Sequence, residues 1–223
     1  MPCYGPSEPV RIATARLPVV TLDDGRAVRL ADVRVVEGAE PPVGLDGREA
    51  LLRPLPELDR YGRTVGDIVL KDTTASLSAS LVARGLAFVD PVAMSEQCLS
   101  VLFAAERRAE AESRGLWAQA GTVVPAGTPN LVDQAGRYVI VDGTVESVGE
   151  TKRTIYLNFG GDYRTDFTAL VRRNDARGWG DGLTALKGAR VRIRGVLEAW
   201  NGGLIRIEHP AQIERAEAFA PLR

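Results

Sequence analysis

The sequence predicts a mainly β protein with peripheral helices, folded as two five-stranded barrels in tandem. Short runs of alternating apolar and polar residues recur in both halves of the 223-residue chain, separated by Gly-, Asp- and Asn-bearing turns. An uncharged, Gly/Pro-punctuated stretch, Ala118 to Asn130, divides the halves. A segment of helical spacing interrupts the strands in each half. The domain limits read from this pattern are 1–117, a linker 118–130, a second domain 131–216 and a tail 217–223.

In the first half, Val10 to Leu22 and Arg26 to Val36 are β-rich runs joined by Asp23-Asp24-Gly25-Arg26, a hairpin signal. The two aspartates are read as turn residues, not as metal ligands. Strands are expected over Ala50–Leu55 and Thr64–Leu70, with a turn at Asp59 to Arg63 between them. Leu77–Arg84 reads as a short helix with Gly85 at its C-terminal stop, and Leu86–Val89 as a short strand. From Ser95 to Arg114 apolar Leu99, Leu102, Phe103 and Ala105 oppose Glu106, Arg107, Glu110 and Glu112, which predicts an amphipathic closing helix.

The second half repeats this logic without repeating the sequence. Arg137 to Val148 alternates as a long strand, with Gly143 where it can bend. Further strands are expected over Thr154–Phe159, Phe167–Arg172, Arg190–Trp200 and Leu204–Glu208, the last two joined by Asn201-Gly202-Gly203. Asn174 to Leu186 has helical spacing broken by glycines, so any helix there is short. Five short strands with a helix between the third and fourth is the order of an OB-type barrel. Trp179 and Trp200 are read as core or barrel-closing residues and His209 as a loop residue.

Composition narrows the function classes. Apolar residues make up 45% and charged residues 26% of the chain, an ordinary globular balance. No apolar run reaches the roughly 18 residues of a membrane span, and no apolar core follows a basic start at the N-terminus, so no export signal is expected in the chain as it stands. A net charge of −1 gives no overall attraction to a polyanion. Residues 1–117 hold 14 Lys and Arg against 17 Asp and Glu, and residues 118–223 hold 14 against 12. The second half is therefore the better candidate for nucleic acid. Cys3 and Cys98 lack metal-ligand spacing, and a single histidine excludes a His-rich metal site. Two free thiols are the plainer reading, with a Cys3–Cys98 disulfide as the alternative in an oxidising compartment.

Three segments carry a resemblance. They are Asp59-Arg60-Tyr61-Gly62-Arg63-Thr64 leading into a strand, Leu81-Val82-Ala83-Arg84-Gly85-Leu86-Ala87, and Ala105-Glu106 running to Gly115-Leu116-Trp117. In this order, over most of residues 19–117, they resemble the staphylococcal-nuclease-like (thermonuclease) family. The resemblance implies an OB-type barrel with a C-terminal amphipathic helix, calcium-assisted phosphodiester hydrolysis, and export from the cytoplasm as the common location. Two aspartates hold the metal in that family, a glutamate activates water, and two arginines neutralise the phosphate.

Carried over position by position, the resemblance assigns Arg29 and Arg63 to the two arginines and Glu37, eight residues after Arg29, to the glutamate. The metal ligands depart from the pattern. Val33-Arg34-Val35-Val36-Glu37 stands for the Gly-Ile/Val-Asp-x-Pro-Glu stretch, so Arg34 takes the place of a carboxylate. Arg16-Leu17-Pro18-Val19 stands for the other acidic run. Only 21 residues separate Glu37 from Asp59, too few for the helix usually inserted there. Exchanging a carboxylate for a guanidinium shifts the local charge by two units, each worth about 4 kcal/mol a few ångströms from a dication at an effective dielectric near 20. No calcium is expected to bind, and no other cofactor is implied.

Three functions follow as expectations. The first is a non-catalytic binding or scaffold protein engaging a protein or a nucleic acid. The second is a divergent metal-dependent phosphodiesterase using Arg29, Glu37 and Arg63 with carboxylates from elsewhere, such as Asp32 or Asp59. The third is a single-strand nucleic-acid binder acting through the second domain. There Tyr156, Phe159, Tyr163 and Arg164 are candidates to stack and pair, with Arg192, Arg194 and Arg206 as backbone contacts. The competing reading packs Tyr156 and Phe159 inside the barrel and leaves the arginine row on a solvated face.

Overall fold

The computed structural model describes residues 3–73, 76–176, 179 and 182–219, and it divides into two compact units, Met1–Gln119 and Ala120–Arg223. The fold is mainly β with few helices. In the first unit β1 (Glu8–Arg16), β2 (Val19–Leu22), β3 (Ala27–Leu30), β5 (Glu49–Leu58) and β6 (Thr64–Leu70) form a closed barrel in the order β1-β2-β3-β6-β5. Its one parallel pair is β3 with β6. Alternation sets the faces: Val20, Leu22, Val28 and Leu30 point inward and are fully or almost fully buried. Asp24 and Gly25 make the β2–β3 turn, where the Asp24 carboxylate accepts the Arg26 N–H at 3.0 Å and Gly25 takes φ 86°.

Both β-rich runs of this half are cut in two. The first breaks at Leu17-Pro18, where proline offers no N–H to a ladder. The second breaks at Asp32, whose φ of 53° turns the chain so that β4 (Val33–Val35) leaves the barrel and pairs with β7 (Ala87–Val89). α1 (Leu77–Ala83) starts at Ser76, whose hydroxyl accepts the Ala79 N–H. α2 (Glu96–Ala111) buries Leu99, Leu102, Phe103 and Ala109. Gly85 and Gly115 meet backbone to backbone: a Cβ on Gly85 would lie 2.1 Å from the Arg114 carbonyl, and the Leu116 N–H donates to Gly85 O at 2.9 Å. Two sequence segments far apart in the chain thus close the unit together.

The reading of two free thiols is corrected here. Cys3 and Cys98 form a disulfide across a sequence separation of 95 residues, with their Cα atoms 5.4 Å apart. The N-terminal segment returns along the barrel to the first turn of α2, a closure that residue spacing alone cannot signal.

In the second unit β9 (Tyr138–Thr144), β10 (Ser147–Glu150), β11 (Thr154–Asn158), β12 (Thr168–Arg172), β13 (Arg190–Glu198) and β14 (Leu204–Ile207) cover the expected strands. Two short strands were not expected: β8 (Val123–Pro125), inside the stretch read as linker, and β15 (Ile213–Arg215). Three residues each, they carry too little pattern to be read. The sheet runs β10-β11-β12-β14-β13-β9-β8, with β15 on β13. β12 and β14 are parallel, as are β8 and β9. The path is open, so the expected second closed barrel goes further than this hydrogen bonding. The predicted long strand breaks at Val145-Glu146 into β9 and β10. Gly143 gives the close approach there, since its Cβ would fall 2.6 Å from Ala126 Cβ and 2.9 Å from the Phe159 ring.

Among the described residues of the stretch of helical spacing a 3-10 turn forms at Thr184–Leu186; residues 177, 178, 180 and 181 lie outside the described residues. Of the tail, Ala216–Phe219 is one helical turn, α3, and residues 220–223 lie outside the described residues. No helix among the described residues is long and apolar enough to cross a membrane.

Candidate functional site

The Asp59 turn is built by its own side chain. Asp59 Oδ1 accepts the N–H of Tyr61 at 2.9 Å and of Arg63 at 3.0 Å, and Gly62 completes the turn at φ 74°. Oδ2 then accepts Arg63 Nε at 2.7 Å. Parallel pairing of β3 with β6 sets Arg29 opposite Val65, and its Nε comes within 3.9 Å of the same Oδ2. The two arginines are therefore brought together, but around a carboxylate that neutralises one of them. Burial pushes the Asp59 carboxyl up; the Arg63 N–H, the Arg63 guanidinium and the Tyr61 N–H outweigh that and hold it below the usual aspartate range. Tyr61, 66% exposed, is flanked by the guanidinium carbons of Arg60 at 4.8 Å and Arg63 at 5.0 Å.

Arg34 lies on β4 with its guanidinium turned to Asp90: Nη2 is 3.0 Å and Nε 3.2 Å from Asp90 Oδ2. Asp90 is buried, and burial raises its carboxyl above the usual range despite the pull of Arg34 and Arg29. Glu37 is exposed beyond β4, and among the described residues no ion pair joins it to a cation, Arg34 included. Asp32, one of the substitute carboxylates considered above, is 1% exposed and spends Oδ1 on the N–H groups of Val92 at 2.7 Å and Ala93 at 2.8 Å. Asp59, the other, is committed to its turn. The β1–β2 turn, Arg16 to Val19, contributes no acid. Among the described residues no group of three or more His, Cys, Asp and Glu is placed to hold a metal ion.

The second-unit candidates separate by depth. Phe159 belongs to the core, packed on Phe167 with ring centroids 5.1 Å apart, so it offers no face to a base. Tyr156 is half-buried on β11. Tyr163 is 56% exposed, and Arg164 sets its guanidinium carbon 5.6 Å from that ring. Arg194 is 1% exposed and paired with Glu214 of β15, which closes the face that alternation alone would leave in solvent. Arg192 lies 3.5 Å from Asp142, the carboxylate that Arg190 grips with two hydrogen bonds of 2.8 and 3.0 Å. Arg206 pairs with Glu198 at 2.7 Å. Trp179 packs against the core, whereas Trp200 is 41% exposed on the β13–β14 hairpin. His209 accepts the Ala211 N–H and caps a 3-10 turn.

Sequence reasoning missed Asp90, Asp142 and Glu214, the acids that absorb these cations. Their pairing depends on strand register across 56, 48 and 20 residues of chain, which leaves no local signal; only the Asp59–Arg63 pair, four residues apart, is visible in sequence. No curated protein matches the chain. Residues 44–119 match the family model described as staphylococcal nuclease homologue; the match takes in Asp59 and Arg63 and begins after Arg29, Arg34 and Glu37. The first unit therefore carries a staphylococcal-nuclease-like domain, a barrel of the OB type.

Proposed function

We propose that this protein is a non-catalytic binding module derived from a nuclease-type barrel, with a second unit of OB-type strand order. The observation that carries the reading is the Arg34–Asp90 ion pair at the place of a metal carboxylate. A hard dication needs several oxygen ligands there; this position presents a guanidinium seated on the Asp90 carboxylate. The donor set does not fit calcium, and no hydrolytic step is derived through it. Glu37 is exposed, and no ion pair or side-chain hydrogen bond among the described residues orients it.

The OB-type reading of the second unit draws on the parallel β12–β14 pair and on the adjacency of β13 to both β9 and β14. A protein partner is favoured over nucleic acid, because Arg190, Arg192, Arg194 and Arg206 each already have an acidic neighbour. A single-strand site now rests on exposed Tyr163 with Arg164, and on half-buried Tyr156.

Calcium titration followed by calorimetry, with a cleavage assay on single-stranded DNA and RNA in the same preparation, tests the proposal. The expected result is no saturable heat and no calcium-dependent cleavage. Stoichiometric binding together with cleavage that Arg63→Ala abolishes would refute it.

A further inference from the structure

Residues 3–7 precede β1 and add no rung to the barrel ladders, yet they are held at three points. Cys3 is bonded to Cys98 in the first turn of α2, the Tyr4 hydroxyl donates to Asp67 Oδ2 at 3.5 Å, and the Gly5 N–H donates to Pro54 O at 2.8 Å. Beneath this strap lie two buried carboxylates, Asp67 on β6 at 2% exposure and Asp32 after β3. The β3–β6 pairing sets Leu30 opposite Gly66, and the Ala31 N–H continues it to Gly66 O, so the two acids follow neighbouring rungs.

Each acid fastens an adjoining segment. Asp67 Oδ1 accepts the Ser78 N–H of α1 at 3.1 Å, and Asp32 Oδ1 holds the loop of Val92 and Ala93 that leads into α2. Asp32 Oδ2 is buried without a hydrogen-bond partner. The strap is therefore bonded covalently to the first turn of α2, just after the loop that Asp32 restrains, and its tyrosine sits over Asp67.

Of the three ties, the covalent one is opened by a change of redox state. Cys3 is exposed and Cys98 half-buried, so a thiolate can reach the bond. Without it, two single hydrogen bonds oppose the freedom of a chain terminus.

We propose that the Cys3–Cys98 disulfide is a redox latch: its reduction releases residues 3–7, uncovers Asp67 and loosens residues 90–98 while the barrel stays closed. The chemistry is thiol–disulfide exchange with a dithiol reductant. One reductant thiolate attacks a sulfur of the pair and expels the other as thiolate; the second reductant thiolate then resolves the mixed disulfide. Cys3 and Cys98 gain two electrons and two protons and become thiols, and the reductant becomes a disulfide.

Hydrogen–deuterium exchange by mass spectrometry on the full chain, before and after reduction in native buffer, tests the latch. Peptides covering residues 76–80 and 90–99 are expected to exchange about tenfold faster or more after reduction, and by a larger factor than the centres of β2, β3 and β6, which stay the slowest-exchanging segments of the unit. Cys3→Ser with Cys98→Ser is expected to reproduce the reduced pattern without reductant; should that variant not fold, reduction of the folded wild-type chain reads the same quantity. Equal protection of both segments before and after reduction overturns the proposal, and so does a rise in exchange at the centres of β2, β3 and β6 as large as the rise in the two segments.

Discussion

In the first unit Asp59 stands between Arg29 and Arg63; in the second Asp142 stands between Arg190 and Arg192. Each arrangement places an acid beside arginines offered as phosphate ligands, Arg29 and Arg63 in the first unit and Arg192 in the second. They differ in what the acid does besides. Asp59 also accepts two backbone N–H groups and so defines the turn that positions Arg63. Asp142 is a strand residue whose backbone is held by the β9–β13 ladder whether or not its side chain is charged. An acid that organises backbone is structural first and electrostatic second, whereas one that only meets cations across a ladder can be exchanged at small cost. The Asp59 turn lies within residues 44–119, which match the family model, and β13 lies outside that match.

The comparison can be pressed hardest with a pair of the second kind taken out of solvent. Arg194 and Glu214 are both buried, so Glu214→Ala removes one partner of a buried ion pair and is expected to destabilise the second unit by about 3–5 kcal/mol in denaturant unfolding. Replacing both residues by apolar side chains of similar volume is expected to recover most of that loss. Next in size is the disulfide, which closes a loop within the first unit alone. Its removal is expected to lower that unit's stability by about 2–4 kcal/mol and to leave the second unit's unfolding transition in place.

Asp59 and Asp142 then meet directly. Asp59→Ala is expected to lower the midpoint of the first unit clearly more than Asp142→Ala lowers that of the second, for which about 1 kcal/mol or less is expected. Asp59→Asn, which keeps the acceptor for the backbone N–H groups, is expected to fall between wild type and Asp59→Ala. The pH dependence follows in sign. The folded-state value of Asp59 is depressed, so its ionic contribution is complete above the ordinary aspartate value of about 3.9 and fades as pH falls below it toward the depressed one. The gap between wild type and Asp59→Asn is therefore expected to close in acid. The smallest effect is at Glu37, where Glu37→Gln is expected to change stability by less than about 0.5 kcal/mol and to leave any background cleavage unchanged.

What was legible in the sequence was local. The Asp23-Asp24-Gly25 hairpin, the Asp59 to Arg63 turn and the helix stopping at Gly85 each rest on chemistry within a few residues, and each is where the sequence places it. Breaks that depend on one residue inside a good β pattern were not read. Asp32 at φ 53° is such a case, because its side chain finds its partners 60 residues away. The site suffered most from this. Arg34 was visible as a cation in the wrong place, but Asp90 was not visible as its partner, and the arginines of β13 looked free until the register of β9 and β15 supplied Asp142 and Glu214.

The most direct measurement is a crystal structure of the protein grown in calcium. The account predicts Arg34 still seated on Asp90, with no ion bound beside Arg29 and Glu37. An ion coordinated there, with Arg34 swung away and Glu37 drawn toward the metal or its water, would contradict it.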